Sequence, residues 1–426
     1  MTKKNKWAWA WVPTLYFAQG LPYALVVTVS VIMYKKLGIS NADIGLYTSW
    51  LYIPWVIKPL WSPFVDLKST KRNWFLWMQL LASAALLAIG FFLPTNIFFV
   101  TTLACFWMVA FASATNDIAI DGYYMIGLTE DRQSFFVGLR SVFYKLANVT
   151  GQGLLVILAG FLETYFGDNT KAWSYTMICA GALMFVFTAI NFFVTPKFEG
   201  SKDIVLEKPK GFVEVFVSFF KKRGIGLALA FILFFRLGES QLVKMASPFL
   251  LDPTSVGGLG YSTSEVGTIY GTIGVIFLTV GGILGGILIS RHGLKKWMLP
   301  MLVALNAPNA LYALLAITET NAAWAVTGTV IVEQFGYGFG IAGFMVYLIY
   351  IAEGASKTSH YALATGFMAL GMMLPGLISG FMQEWLGYDG FFIWVVLAAL
   401  PAFVLLRYLD YPADFGKAKK KNEQNA

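Results

Sequence analysis

Long apolar runs separated by short polar segments form the main pattern of this 426-residue chain. Each run is about 20 residues or longer, the length that an α-helix needs to cross a bilayer. The pattern therefore predicts an all-α membrane protein with twelve transmembrane helices, called spans 1–12 here. In chain order, the predicted spans cover residues 9–35, 42–65, 74–94, 97–126, 133–163, 172–195, 224–251, 262–290, 296–318, 322–352, 359–383 and 389–408.

Composition agrees with this pattern. The chain is 58% apolar and 13% charged, whereas soluble proteins average roughly 45–50% apolar and 25% charged residues. An ordinary soluble domain is therefore excluded. Cys105 and Cys179 both lie inside predicted spans and no CxxC spacing occurs, so we expect neither a disulfide nor a metal site. No cofactor is predicted.

The basic residues predict the orientation in the membrane. The formal net charge is +8, but the Lys and Arg residues form short clusters between apolar runs, which indicates positive-inside topology and not a nucleic-acid partner. The basic segment Met1 to Lys6 precedes span 1 without an evident cleavage site, so span 1 is expected to be retained. Both termini are predicted to be cytoplasmic. The inner loops then hold Lys68, Lys71, Arg72, Arg132, Arg291, Lys295, Lys296 and Lys357, and the tail adds Lys417 and Lys419–Lys421. A central basic cluster consists of Lys197, Lys202, Lys208, Lys210, Lys221, Lys222 and Arg223 and also lies on the inner side.

Three sequence matches relate the two halves of the chain. "ADIG" from Ala42 matches "SEVG" from Ser264 at an offset of 222, Trp74 matches Trp297 at 223, and "GFLETYFG" from Gly160 matches "GFMQEWLG" from Gly380 at 220. Two parallel six-helix repeats are the build of major-facilitator transporters, whose halves rock around a midplane site. The fold prediction is thus two pseudo-symmetric six-helix bundles with a polar site at their seam.

The predicted domains follow from these repeats. Residues 1–195 form the N-terminal bundle and 224–408 the C-terminal bundle. Residues 196–223 form a cytoplasmic central loop that can hold an amphipathic helix from Phe212 to Phe220, lying on the membrane surface. Residues 409–426 form a cytoplasmic tail.

Charged residues inside the spans are the main candidates for function. A charge at bilayer depth costs at least roughly 2.5–3.5 kcal/mol, so it is usually paired or functional. At 1.5 Å per residue, four ionisable side chains fall near mid-depth and four more lie nearer the cytoplasmic side. The first group is Lys145, Arg236, Glu239 and Glu333, and the second is Lys58, Asp117, Asp121 and Arg140.

Two interpretations of these charges remain open. Asp117 and Asp121 share one helix face, as do Arg236 and Glu239. One interpretation is a buried set of acids and bases that binds a polar or anionic solute and takes up a proton. The other is static ion pairs, with Asp117 or Asp121 bound to Arg140 and Arg236 bound to Glu239. For the four mid-depth residues, the first interpretation is favoured.

The remaining candidates are polar side chains in the spans and residues of one inner loop. Deep aromatic and amide side chains could stack on or hydrogen-bond to a sugar, although core packing is the default for any one of them. They are Gln19, Tyr23, Tyr123, Tyr144, Gln334 and Tyr337. "PFVDLKSTKRN" from Pro63 resembles the loop motif of major facilitators, in which an acid caps a neighbouring helix in one state. The predicted gating residues are Lys58, Asp66, Lys71 and Arg72; the second-half copy from Ser290 to Lys296 lacks the acid.

Several motifs then resemble those of a known family across nearly the whole chain. The motifs are "AQGLP" from Ala18, "KPLWSPFVD" from Lys58, "DIAIDGY" from Asp117, "SVFYKL" from Ser141, "FRLGES" from Phe235, "GGIL" from Gly285 and "VEQFGYGFG" from Val332. They resemble the AmpG-type muropeptide permeases, a major-facilitator family related to acetyl-CoA transporters.

This resemblance implies a bacterial inner-membrane permease that imports anhydromuropeptides, driven by the proton gradient. The expected partners are the sugar-peptide substrate, protons and the lipid bilayer, with the protein acting as a monomer. Arg140, Lys145 and Arg236 join the polar side chains as substrate-binding candidates. The proton-coupling candidates are Asp117, Asp121, Glu239 and Glu333. Lys244, near the outer end of span 7, departs from the family pattern and leaves a more acidic cargo open.

An enzyme, a sensor and a carrier of another solute are the alternatives to this function. The chain has only two histidines, His292 and His360, and no Ser-His-Asp arrangement or Gly-rich phosphate loop stands out, so an enzyme is not expected. A non-transporting sensor with the same fold is a second alternative. Among carriers, a sugar, another amphiphile or an acetyl-CoA-like solute are the alternative cargoes.

Overall fold

The computed structural model describes residues 3–128, 130–197, 212–354 and 357–417, and their regular secondary structure is entirely helical. The all-α prediction is confirmed. The chain divides into two compact units. Unit 1 comprises Met1–Lys208 and Tyr261–Thr272, and unit 2 comprises Pro209–Gly260 and Ile273–Ala426.

Unit 1 is built from long helices that in places widen into π-helical turns. Its α-helices are α1 (Lys3–Ala24), α2 (Ser30–Lys36), α3 (Asn41–Trp50), α4 (Ile53–Lys68), α5 (Lys71–Phe92), α6 (Phe98–Gly127), α7 (Glu130–Asn148), α8 (Val156–Phe166) and α9 (Asn169–Val194). The π-helical segments Leu25–Val29 and Val149–Leu155 join α1 to α2 and α7 to α8. Spans 1 and 5 therefore each contain a π-helical segment, a feature often found at functional sites.

Unit 2 repeats this construction. The α-helices after the central segment are α10 (Phe212–Phe220), α11 (Ile225–Phe235), α12 (Leu237–Leu251), α13 (Thr263–Val266), α14 (Val275–His292), α15 (Leu294–Asn306), α16 (Asn309–Ile317), α17 (Ala323–Ala352), α18 (Lys357–Ala398) and α19 (Leu400–Tyr408). A short 3₁₀ turn spans Thr254–Val256, and a π-helical segment, Gly267–Gly274, joins α13 to α14. Of these elements, α13 and the π-helical segment as far as Thr272 belong to unit 1.

Ten helical stretches of the described residues are long and apolar enough to cross a membrane. Two local differences separate this number from the predicted twelve. Span 2 is split into α3 and α4, because Pro54 in the first turn of α4 cannot donate a helical hydrogen bond. Spans 11 and 12 run together as one 49-residue stretch, His360–Tyr408, but its backbone breaks at Gly387, where φ is 70° and ψ is 176°. With both counted, the helices match the twelve predicted spans.

Each unit has its own aromatic core. In unit 1, Trp11 and Tyr123 pack edge to face with ring centroids 5.1 Å apart, within a cluster that includes the fully buried Phe136. In unit 2, Phe235 stacks on Phe344 with centroids 4.2 Å apart and ring planes 3° apart. Such pairs add about 0.5–1.5 kcal/mol each beyond the area they bury.

Large apolar side chains also cover the outside of the helices. Phe193 and Trp385 are 76% and 78% exposed, and many others are similarly placed. A soluble monomer rarely exposes so much apolar surface, whereas lipid is a good solvent for it. The protein is therefore a multi-pass membrane protein.

Candidate substrate and proton sites

A half-exposed cluster on α1, α6 and α7 surrounds Asp121. The Tyr16 hydroxyl donates to Asp121 Oδ1 at 3.1 Å, and Arg140 Nη1 donates to the same hydroxyl oxygen at 3.1 Å. The direct distance from Arg140 Nη1 to Asp121 Oδ1 is 3.8 Å. The Arg140 guanidinium also lies 5.2 Å from the ring centroids of Tyr16 and Tyr124. Tyr16 therefore bridges the acid and the base, a role that its sequence position does not reveal.

Asp117 lies one helical turn earlier and has different partners. Trp55 Nε1 donates to Asp117 Oδ2 at 3.2 Å, and the Gln19 side chain also hydrogen-bonds to this carboxylate. Lys58 attracts it and Asp121 repels it through their charges. Arg140 thus pairs with Asp121 and not with Asp117, whose direct donors are neutral.

Lys145 follows on α7 as a partly buried cation. Among the residues that the structure describes, it has no anionic partner within ion-pair distance. A cation in this position is costly unless something compensates its charge. The charge of Lys145 is therefore not compensated by an ion pair within the described residues.

The tyrosines predicted to bind the substrate lie in different surroundings. Tyr23 is partly buried and meets Trp55 edge to face with centroids 5.3 Å apart. Tyr144 lies against Gly20, where a Cβ atom would come within 2.8 Å of the Tyr144 carbonyl oxygen. Tyr123 is fully buried and its hydroxyl donates to the Pro196 carbonyl at 2.6 Å. The structure thus places Tyr123 in the core.

The polar centre of unit 2 forms where a helix is interrupted. The backbone of Arg236 is non-helical, with φ −112° and ψ 16°, and separates α11 from α12. Arg236 Nε and Nη2 donate to the two oxygens of Glu239 at 2.7 and 3.1 Å. Nη2 also donates to the Tyr337 hydroxyl at 2.7 Å, and the guanidinium lies 5.0 Å from the Tyr337 ring centroid. The predicted pair is therefore in direct contact, with Tyr337 as its third member.

A second buried carboxylate, Glu333 of α17, lies near this pair. It is 1% exposed, and Gln334 Nε2 donates to its two oxygens at 3.3 and 3.0 Å. Tyr312 also interacts with it, and Glu239 repels it through charge. Its direct partners are neutral, so a proton or a cationic solute would relieve the cost of this buried charge.

Further polar residues of α12 were not identified from the sequence or were placed differently. Lys244 is 2% exposed, so it does not extend to the membrane surface as its position near the end of span 7 would allow. Gln241 accepts a hydrogen bond from Trp394 Nε1 at 3.0 Å. The polar residues of the "GESQLVK" string from Gly238 are the available signal for both, but the partner of Gln241, Trp394, comes from the distant helix α18.

The predicted gating residues make contacts within unit 1. Arg72 Nε donates to the carbonyl and hydroxyl oxygens of Thr195 at 2.9 and 3.1 Å, and its Nη2 donates to the Phe192 carbonyl. Arg72 thus caps the end of α9. Lys71 packs against Gly122, where a Cβ atom would come within 3.0 Å of Lys71 Cε. The Asp66 side chain lies outside the described residues.

No group of three or more His, Cys, Asp or Glu side chains in the described ranges is arranged to hold a metal ion. The charged and polar side chains of the two polar centres offer ion pairing, hydrogen bonding and proton transfer.

Comparisons with known proteins agree with this picture. The family model of the Major Facilitator Superfamily matches residues 14–359. The anhydromuropeptide permease of Escherichia coli strain K12 is 27% identical over 401 residues, covering 92% of this chain and 77% of the permease. The putative transporter AmpG 4 of Rickettsia conorii is 26% identical over 421 residues, covering 93% and 95% of the two chains. The crystal structure of the nucleoside transporter NupG superposes with a TM-score of 0.73 at 15% identity, covering 96% of this chain and 100% of NupG.

Proposed function

Since the chain belongs to the Major Facilitator Superfamily, we propose that it imports anhydromuropeptides across the bacterial inner membrane together with protons, by alternating access. The protein is a membrane transporter of a small molecule and not an enzyme. The proposed cargo is supported by the similarity of this chain, along 92% of its length, to the Escherichia coli anhydromuropeptide permease.

The observation that carries the proposal is the side-chain chemistry around Arg236 and Glu333. An anhydromuropeptide combines sugar hydroxyl groups, amides and peptide carboxylates. The planar Arg236 guanidinium now holds Glu239 through its Nε and Nη2 nitrogens, and protonation of Glu239 would release this edge for two-point binding of a solute carboxylate. Lys145 offers a second cation without an ion-pair partner in the described structure. Gln334, Tyr337 and Gln19 supply donors and acceptors for hydroxyl and amide groups.

We propose that the buried acidic side chains couple transport to protons. Glu239 or Glu333 accepts a proton that enters with the solute from the periplasm. In the unprotonated state, Glu333 is a buried carboxylate with neutral direct partners, which is costly in a low-dielectric setting. A proton removes that cost. Asp117 and Asp121 then help to release the proton to the cytoplasm.

The proposed orientation places both termini in the cytoplasm. The basic clusters of the sequence support it, because inner loops carry the excess of Lys and Arg in membrane proteins. In this orientation, the helix junctions at Lys71 and Leu294 face the cytoplasm. We further propose that the protein acts as a monomer. Addition of a membrane-impermeant thiol reagent to single-cysteine variants in each loop tests the topology.

The test of the cargo is uptake by proteoliposomes that contain the purified protein. Labelled anhydromuropeptide should accumulate when the outside is made acidic, and an uncoupler should abolish the accumulation. Unlabelled anhydromuropeptide should compete with the label, while a free sugar and acetyl-CoA should not. Counterflow of the label without a gradient separates a carrier from a sensor. Absence of both uptake and counterflow with this solute overturns the proposed cargo.

A further inference from the structure

A groove on the outer surface of unit 1 lies between α5 and α9. It has a volume of about 510 Å³, and its apolar lining includes Trp77, Leu80 and Phe193. Trp77 is 65% exposed and Phe193 is 76% exposed. The groove takes no part in the polar centres described above, so its occupant must be sought among molecules that contact the outside of the protein.

One end of the groove is cationic. Arg72 lines it near the start of α5, beside the exposed Asn73. Two of the three guanidinium nitrogens are occupied by the Phe192 and Thr195 oxygens at the end of α9. Among the described residues, the third nitrogen, Nη1, has no hydrogen-bond acceptor. The exposed Lys197 follows Thr195 by two residues and adds a second positive charge at this end.

The dimensions of the groove match one leaflet of a bilayer. From Arg72 to Leu80 the helix rises by about 12 Å, and half of the hydrocarbon core is about 15 Å thick. The cation lies at a helix terminus, where headgroups are found, and the apolar lining extends from there toward the middle of the membrane. An acyl chain with a phosphate at its head fits this arrangement.

We propose that this groove, called the α5–α9 groove, binds a phospholipid with a net negative headgroup. The phosphate accepts hydrogen bonds from Arg72 Nη1 and from Asn73, and one acyl chain lies along Trp77, Leu80 and Phe185. Guanidinium groups pair strongly with phosphate oxygens, and basic pockets between membrane helices are suited to anionic headgroups. In the proposed orientation, the site lies in the cytoplasmic leaflet.

Native mass spectrometry of the purified full-length chain tests this proposal directly. The detergent-solubilised protein is mixed with phosphatidylglycerol or with phosphatidylcholine of identical acyl chains. We expect one phosphatidylglycerol to bind about tenfold more tightly than phosphatidylcholine, which equals about 1.4 kcal/mol. Equal retention of the two lipids overturns the proposal.

Two alanines of α9 provide a matched pair of variants. Ala189 lines the groove, whereas Ala182 is exposed two turns away and does not line it. Ala189→Phe should fill the groove and remove the tight phosphatidylglycerol site, and Ala182→Phe should leave it intact. Arg72→Gln should abolish the preference for the anionic lipid. If Arg72→Gln prevents folding, Ala189→Phe still tests whether the lipid binds in the groove, because that variant leaves Arg72 in place.

The same spectra distinguish other occupants. Equal lipid binding by the two phenylalanine variants overturns the proposal, as does a dimer peak that Ala189→Phe alone removes, because the groove would then bind a second copy. The test uses no muropeptide, so its outcome is independent of the proposed cargo.

Discussion

Arg236 and Glu239 form a two-point ion pair inside unit 2, with N–O distances of 2.7 and 3.1 Å. The two side chains are 4% and 0% exposed. Arg236 also forms the junction between α11 and α12, so the pair is built at a break in span 7. Such a pair either fixes the break or takes part in solute binding, and the two roles predict different behaviour of a neutral replacement.

The first prediction concerns the stability of this pair. Glu239→Gln should lower the free energy of unfolding by roughly 3–5 kcal/mol, because it leaves the Arg236 charge buried without its counter-ion. The double variant Arg236→Met/Glu239→Leu should regain most of that loss, since it removes both charges. Thermal unfolding in detergent ranks the three proteins.

Transport by the same variants separates structure from function. We expect neither variant to accumulate anhydromuropeptide, although the double variant is folded. Uptake at the wild-type rate by the double variant would show that the pair only holds the helices together.

The second prediction concerns proton coupling through Glu333. Glu333→Gln should abolish accumulation driven by a pH gradient but retain counterflow, because the amide keeps the shape and cannot release a proton. Uptake and counterflow are measured in the same proteoliposomes. The matched control is Glu319→Gln, which changes an exposed acid outside the spans and should behave as wild type. Gradient-driven accumulation by the Glu333 variant would exclude this residue as the coupling acid.

The third prediction contrasts the Asp121–Arg140 pair with the buried pair of unit 2. Their side chains are 50% and 35% exposed and the closest N–O distance is 3.8 Å. A double-mutant cycle with Asp121→Asn and Arg140→Gln should therefore give a coupling energy of only about 0.2–1 kcal/mol. Tyr16→Phe should further reduce that coupling, because the bridging hydroxyl is lost. Chemical unfolding measures the cycle, and a coupling of several kcal/mol would contradict the exposed geometry.

The repeat was visible in the sequence because it recurs in local structure. Ser40 Oγ accepts from the Asp43 backbone at 3.1 Å, and Ser262 Oγ accepts from the Glu265 backbone at 3.3 Å. These two helix caps are 222 residues apart, the offset of the "ADIG" and "SEVG" motifs that begin just inside them. Cap residues are determined by neighbours within one turn, so sequence alone suffices to find them.

Other features depend on contacts between distant segments and could not be predicted. The sequence gives no sign that Arg72 caps α9, more than a hundred residues later, or that Tyr16 joins Asp121 to Arg140. The burial of Lys244 likewise requires packing by other helices. The break at Arg236 has a weak local signal in Gly238, where a Cβ atom would come within 2.4 Å of the Val395 carbonyl oxygen, but that contact also comes from another part of the chain.

The last prediction uses two glycines that end equivalent helices. Gly167 and Gly387 are 220 residues apart, and both have positive φ, 63° and 70°. An added Cβ atom makes the left-handed conformation of Gly167 (ψ 18°) costly by roughly 1–2 kcal/mol. Gly387, with ψ 176°, lies in a region that essentially only glycine adopts and that costs another residue roughly 1–3 kcal/mol. Gly167→Ala and Gly387→Ala should therefore lower the unfolding free energy by about these amounts. Gly328→Ala is the matched control: its added Cβ would meet no atom within 4 Å, and alanine favours its helix by roughly 0.5–1 kcal/mol. Thermal unfolding measurements should therefore show a lower melting temperature for Gly167→Ala and Gly387→Ala, but not for Gly328→Ala. An unchanged melting temperature for Gly387→Ala would mean that the backbone between spans 11 and 12 is helical at this residue, and the two spans would then form one unbroken helix.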